Sequence, residues 1–374
     1  MSLLLLNNKG EKVDFEEKVL SLYSQEELAN GLLTSDMDGT MYEQDLGILV
    51  FLQKLGDSTF WTFDLNRFRG LLLPKDYFVT LQAGAEGVFD SFEGMDAAKC
   101  RMILDLKEDI CLLYRAIKLA KIRQEELDLS HPLVNEFAYK MVLMDGLVIS
   151  MEPYMGKHFK LAYLMRTRFF ASKNFERVRS LVLGAMDRTE DDNILLQSYD
   201  VNQDSLGGRL KVVNEPPVEI DRDIRVVQKV QELTRILVED CGVLGTVVTT
   251  NLYKIADTFI RGGVYKDLIE RIVGTRLKMV RGGCLNSLIE GRPVIGLRKA
   301  EVAEELAQLY RKKHLFAAGD SNGDFHMAEK VLREGGVFVG VGKSVDSITK
   351  TFNGRLLEAV GQEAMDERFL CATY

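Results

Sequence analysis

Short apolar runs that stop at clusters of glycine and acidic residues alternate in this chain with longer segments of a different period. Leu32-Leu33-Thr34-Ser35 runs straight into Asp36-Met37-Asp38-Gly39-Thr40. Leu315-Phe316-Ala317-Ala318 runs in the same way into Gly319-Asp320-Ser321-Asn322-Gly323-Asp324. Apolar runs of this length bounded by turn residues predict buried strands. Thr246-Val247-Val248-Thr249-Thr250-Asn251 predicts another. Val339-Gly340-Val341-Gly342-Lys343 predicts the last core strand and its turn, since it lacks the full spacing of a phosphate loop. Elsewhere the period is helical: Ile103, Leu106, Ile110, Leu113, Ile117 and Ala120 recur at spacings of three and four, as one buried helix face requires. Further helices are predicted from Leu133 to Leu147, from Phe175 to Met186 and from Val226 to Val238, and a last one carries Val302, Leu306 and Leu309.

The distribution of these elements implies an insertion. The first strand end comes near residue 36, and the strand ending at Thr249 follows more than 200 residues later. The stretch between them is chiefly helical. Its exit is expected near Asn214-Glu215-Pro216-Pro217, because the residue before a proline is pushed out of the helical region. At 374 residues the chain is also longer than one hydrophobic core normally supports. Two domains follow as the expectation: a core of residues 1–48 with 216–374, and a helical domain of 49–215.

Composition narrows the function classes. With 46% hydrophobic and 28% charged residues the chain is an ordinary globular protein. Its net charge of −8 argues against nonspecific binding to nucleic acid or to an anionic membrane, both of which call for a basic surface. There is no run of 18 apolar residues, and the start lacks a basic leader with a long apolar core. Cys100, Cys111, Cys241, Cys284 and Cys371 are an odd number without metal-ligand spacing, which suggests reduced thiols in a cytoplasmic compartment. The histidines, His131, His158, His314 and His326, form no helical metal pair.

The chemistry is concentrated at two strand ends. In open α/β sheets ligands sit at the carboxyl ends of strands, where Asp36 and Asp320 fall. Asp36 can offer one oxygen to Mg²⁺ and the other to phosphorus, forming an aspartyl-phosphate. Asp38, aimed at the same space, would act as acid and then as base, a role that typically contributes on the order of 10²–10⁴-fold. A calcium loop is the competing reading of Asp-x-Asp-Gly, but it needs a glutamate at its twelfth position, where this chain has Gly47. Mg²⁺ is a hard cation that suits carboxylates drawn from both strand ends, with Asp320 as direct ligand and Asp324 orienting it or a bound water.

Together these stretches resemble the haloacid dehalogenase superfamily of aspartate-nucleophile phosphatases, most closely its phosphoserine-phosphatase-like members. Asp36 to Thr40 meets the first motif in full and Gly319 to Asp324 the fourth. Thr249 matches the second, with Thr250 as a one-residue alternative. Lys299, in Val294-Ile295-Gly296-Leu297-Arg298-Lys299-Ala300, stands where the third motif's lysine stands. The resemblance implies a doubly wound, Rossmann-like parallel sheet with a helical cap inserted after the first motif. It also implies Mg²⁺ as cofactor, with Asp36, Asp38, Asp320 and Asp324 around it, and catalysis by Asp36, Asp38, Thr249 and Lys299. Thr249 would hold a phosphoryl oxygen while Lys299 offsets charge around Asp36.

The implied activity is hydrolysis of a small phosphorylated metabolite. A phosphotransferase or phosphomutase on the same scaffold is the nearer alternative, and a phosphate-accepting signalling module the more distant one. Asp45, Thr250 and Asn251 are the expected substrate contacts. Asp45 is equally readable as a surface residue of a helix's first turn. The aromatics Phe60, Trp61, Phe63 and Phe68 read as core more readily than as a cation pocket. At most one of Arg166 and Arg168, two apart on a helix, would reach an anion. No feature of the pattern assigns an oligomeric state.

Overall fold

The computed structural model describes residues 3–374 apart from 57, 73–80, 84, 87–95, 124–126, 151–164, 172, 188–192, 200–205, 207, 214 and 281–283. Twelve strands are described. In chain order they are β1 (Leu4–Asn7), β2 (Lys12–Asp14), β3 (Gly31–Ser35), β4 (Ile194–Leu196), β5 (Val218–Ile220), β6 (Leu244–Leu252), β7 (Arg271–Thr275), β8 (Leu277–Met279), β9 (Leu285–Ile289), β10 (Lys313–Gly319), β11 (Val337–Gly342) and β12 (Phe369–Thr373). The chain divides into two units, one of Met1–Leu46, Ile224–Arg276 and Ile289–Tyr374, the other of Gly47–Asp223 and Leu277–Leu288.

In the first unit eight strands make one sheet of order β2-β1-β12-β11-β10-β3-β6-β7. From β12 to β7 every neighbouring pair is parallel, while the β1–β2 hairpin is antiparallel at the edge. All five residues of β3 are buried, as are the last six of β10. Unbroken burial of this kind is what a parallel sheet covered on both faces demands, and it explains why these strands read as continuous apolar runs. Paired positions share a face and successive ones alternate, so Leu32, Val248, Ala317, Phe338 and Phe369 face one side. There the helix Leu297–Tyr310 brings Val302 and Leu306 onto Leu32 and Val248. The helices Phe325–Arg333 and Val345–Val360 bring Met327, Val331, Ile348 and Phe352 onto Ala317, Phe338 and Phe369. On the other face Phe15 and Tyr23 set their rings 6.4 and 5.6 Å from Phe316. Gly245, opposite Leu33, lies on that second face against Val238 and Ile269. The sheet is doubly wound, as expected.

The second unit is mainly helical. Ala97–Ile122 and Pro132–Ser150 are its long helices, and Leu65–Leu72 and Phe175–Met186 are shorter ones. Strands β4 and β5 form a small antiparallel pair. Phe60, Trp61, Phe63 and Phe68 are all buried in its core, with Phe68 stacked on Tyr114 at 3.8 Å. They fill space between helices, and the core reading of these aromatics holds. No helix among the described residues is long and apolar enough to cross a membrane.

Polar chemistry is also buried there. Lys140 lies between Asp109 and Glu136 at 3.1 Å from each, and none of the three side chains is exposed. Asp109 accepts from the amides of Lys211 and Val212, at 2.8 and 2.9 Å, and Glu136 from the amide of Tyr199 at 2.5 Å. Lys140 also donates to the Val212 carbonyl. The group ties the stretch after β4 to both long helices.

The second unit starts at Gly47, two residues before the expected boundary, and the units differ from the expected ones in two further places. Pro216, expected at the start of the returning core, accepts a hydrogen bond from Tyr139 at 2.9 Å, and the chain enters the first unit again only after Asp223. Leu277–Leu288, expected in the core, belongs to the second unit. Its backbone groups find their partners there: Leu285 donates to the Lys173 carbonyl at 2.8 Å, and the Ser287 carbonyl accepts from Arg168 at 3.4 Å. Backbone pairing, which must be satisfied somewhere, decides the membership. Asn214 lies outside the described residues.

Candidate active site

The sheet reverses direction at β3. From there the chain steps through β6 and β7 on one side and β10, β11 and β12 on the other. Such a switch point opens a crevice at the strands' carboxyl ends, and β3 and β10 end there together, with the Asp36 amide donating to the Ala318 carbonyl at 3.0 Å. Gly39 allows the turn after β3: its φ is +69°, and a Cβ at that position would overlap the Asp320 carboxylate. Neighbouring Thr40, fully buried, donates to Asp320 Oδ1 at 3.2 Å.

Three carboxylates meet in this crevice. Oxygens of Asp36, Asp320 and Asp324 all lie within 4.8 Å of one another. Lys299, in the first turn of the Leu297–Tyr310 helix, reaches Asp36 Oδ2 at 2.5 Å and Asp324 Oδ1 at 2.7 Å, its side chain 2% exposed. Asp324 is fixed on its other oxygen by Ser321, from the amide at 3.3 Å and the hydroxyl at 3.2 Å. The Met37 amide donates to Asp36 Oδ1 at 2.8 Å.

One ammonium among three acids leaves the cluster short of positive charge. Burial, and then the Asp324 charge, raise Asp36 to about 6 against the pull of Lys299. Asp320 is raised well above the usual carboxylate range by burial and by the charges of Asp324 and Asp36. Burial alone would lower Lys299, but the Asp324 and Asp36 carboxylates outweigh it and hold the ammonium charged. An oxygen-only donor set, converging, buried and over-supplied with negative charge, is what a hard divalent cation requires, so the residues present fit Mg²⁺.

Asp38 is not part of that group. Its Oδ1 accepts from the Leu46 amide, at the start of the helix Leu46–Leu55, at 3.0 Å, and its Oδ2 from Asn251 Nδ2 at 2.5 Å. The carboxyl expected at the metal is therefore held by two amides instead. Thr249 is buried at the end of regular β6 pairing, and its hydroxyl accepts from the Asn251 amide at 3.2 Å. Thr250 and Asn251 are half-buried just beyond it. Asp45 is half-buried immediately before the Leu46 helix and lies outside the carboxylate group.

The contact of Asn251 with Asp38 was not visible in the chain, because the two residues are 213 apart and neither belongs to a spacing that announces the other. Arg168, a candidate anion contact, spends its guanidinium on the carbonyls of Leu71 and Ser287. The side chain of Arg166, and His158 altogether, lie outside the described residues. His326 faces Glu329 at 3.6 Å.

No family model matches the sequence, and no curated protein does. Among solved structures the chain is similar to a conserved protein of unknown function from Anaerococcus prevotii DSM 20548, with 17% identity, a TM-score of 0.61, and coverage of 91% of this chain and 85% of that one. That likeness shows the fold. A HAD family hydrolase from Salmonella enterica serovar Typhi matches at 10% identity and a TM-score of 0.38, covering 91% and 74% of the two chains. A substrate-bound phosphoserine phosphatase matches at 12% and 0.34, covering 83% and 85%. The strand order and the parallel pairing from β12 to β7 give the chain a doubly wound α/β core.

Proposed function

We propose that this protein is a Mg²⁺-dependent phosphomonoester hydrolase that works through an aspartyl-phosphate on a small phosphorylated metabolite. The observation that carries the reading is the pairing of two differently held carboxyls at one switch point. Asp36 is buried against Lys299 and two further acids, while Asp38, two residues on, is held apart by amides. One carboxyl is thereby set up to attack, the other to exchange a proton. Asp36, Asp320 and Asp324 would hold the Mg²⁺, which when bound supplies positive charge to the phosphoryl oxygens and to Asp36.

The chain's own residues do the rest. Asp36 forms a bond to phosphorus as the bond to the leaving alcohol breaks, and Asp38 gives that alcohol its proton. Water then attacks the phosphoryl group, returns a proton to Asp38 and frees Asp36. Lys299 keeps Asp36 and Asp324 from repelling the incoming phosphate, and the hydroxyl of Thr249 or Thr250 holds one of its oxygens. Preorganised charge in a site from which water is excluded is usually the largest catalytic term.

The test is hydrolysis of p-nitrophenyl phosphate and of a panel of natural phosphomonoesters, with Mg²⁺, with EDTA and with Asp36→Asn. Turnover that needs the metal and falls to background in the variant is the expected result. Turnover that persists in Asp36→Asn would sink the reading.

A further inference from the structure

Asp38 is carried on the turn after β3, and a carboxyl there has two free side-chain torsions. Both of its oxygens are nevertheless fixed, Oδ1 by the Leu46 amide at 3.0 Å and Oδ2 by Asn251 Nδ2 at 2.5 Å. The second donor comes from the neighbouring strand, β6, and is itself anchored: the Asn251 amide is bonded to Thr249 Oγ1 at 3.2 Å, where the β6–β7 register breaks. Asn251 thus reaches Asp38 from the strand end that also supplies the phosphate-holding hydroxyl. An acid or base must lie within hydrogen-bond reach of the proton it moves, and in phosphoryl transfer alignment supplies much of the rate.

We propose that Asn251 is a positioning residue for Asp38, aligning its carboxyl with the leaving-group oxygen and then with the attacking water. The inference rests on the hydrolase reading above. It also gives Asn251 a different part from the substrate contact expected of it, since its side-chain nitrogen is given to Asp38. The step it serves balances: the Asp38 proton passes to the bridging oxygen as that oxygen leaves phosphorus and an Asp36 oxygen bonds to phosphorus in its place, and water restores the proton when the phospho-enzyme is hydrolysed.

A positioned acid matters most where the leaving group is poor, which separates this role from a merely structural one. We would measure kcat/KM, which reports the first chemical half, on an alkyl phosphate and on p-nitrophenyl phosphate. Wild type would be compared with Asn251→Ala, Asn251→Asp, Asp38→Asn and the double variant Asp38→Asn/Asn251→Ala. Asn251→Asp keeps the size of the side chain and puts a second carboxylate in place of the donor.

On the alkyl phosphate both Asn251 variants should lose on the order of 10²-fold, within the range of one general acid. On p-nitrophenyl phosphate, whose leaving group departs without protonation, they should lose less than about tenfold. The double variant should be no slower than Asp38→Asn alone. Equal losses on both substrates, full additivity in the double variant, or no loss would overturn the inference while leaving the hydrolase intact. A wild type inactive on every phosphomonoester would overturn both.

Discussion

Each unit of this protein buries a lysine between two carboxylates, and the two clusters are built for opposite ends. In the second unit Lys140 sits 3.1 Å from both Asp109 and Glu136, and those acids also accept amides from Lys211, Val212 and Tyr199. Two negative charges meet one positive charge and three N–H donors, so the acids are well satisfied. In the first unit Lys299 touches Asp36 and Asp324 at 2.5 and 2.7 Å, but a third acid, Asp320, crowds in and the local charge stays negative. Burial first, and then the charge of the neighbouring acids, raises Asp36 and Asp320. The lesson is that a buried lysine–carboxylate group is not in itself a site. What distinguishes the two is whether the acids are saturated by donors or left in excess at a crevice.

Substituting each lysine tests the contrast most sharply. Lys299→Met should lower kcat by on the order of 10²–10³-fold, the scale of one lost electrostatic donor in an active site. Lys140→Met should cost about 3–5 kcal/mol of stability, because it leaves two carboxylates buried without their cation. Trp61 is the chain's single tryptophan and lies in the second unit's core, so its fluorescence in urea reports that unit directly. A Lys140→Met protein with an unmoved Trp61 midpoint would break the comparison.

A volume-matched replacement of the whole Lys140 group makes a finer test. Replacing a buried ion triad by apolar residues is often neutral or gains roughly 1–4 kcal/mol. Here Asp109→Leu, Glu136→Leu and Lys140→Met together would strand the amides of Lys211, Val212 and Tyr199, at about 1–3 kcal/mol for each that stays buried. The triple variant should therefore unfold at lower urea than wild type. A triple variant more stable than wild type would show that the amides find other acceptors and that the group is not a pin.

The two clusters also differed in how far the chain revealed them. Asp36, Asp320 and Asp324, and Asp38 beside them, could be found because each pair lies in one short stretch directly after an apolar run, so the strand and the chemistry are read together. The Lys140 group has no such signature. Glu136 and Lys140 are spaced like any solvated pair on a helix surface, and Asp109 interrupts an apolar face as an ordinary polar residue would. Only the packing of Ala97–Ile122 against Pro132–Ser150 and the amides of Tyr199, Lys211 and Val212 turn them inward. The β8–β9 hairpin was hidden for the same reason, since its membership depends on partners at Arg168 and Lys173 more than 100 residues away. Local periodicity carries strands, helices and strand-end motifs. It does not carry which distant backbone group a buried polar side chain will meet.

A third buried base completes the contrast and gives the smallest effect. His314, in β10, is 3% exposed, and neither of its ring nitrogens has a hydrogen-bond partner among the described residues. Burial, and then the charge of Lys330, lower it to about 4. Lys140 and Lys299 are buried beside acids, whereas His314 is buried neutral. The folded pKa lies below the ordinary value near 6.5, so the unfolded chain binds the extra proton first as the pH falls. Stability is complete above about pH 6.5 and is lost progressively from there down through about 4. Between pH 8 and about pH 6 the expected loss is about 1 kcal/mol. The check is the urea midpoint of the circular dichroism transition that Trp61 does not share, followed against pH in wild type and in His314→Gln. The variant should flatten the wild-type slope over that window. An equal slope in both proteins would mean that His314 finds a partner when it is charged, and the rule drawn from the two lysines would then need no neutral third case.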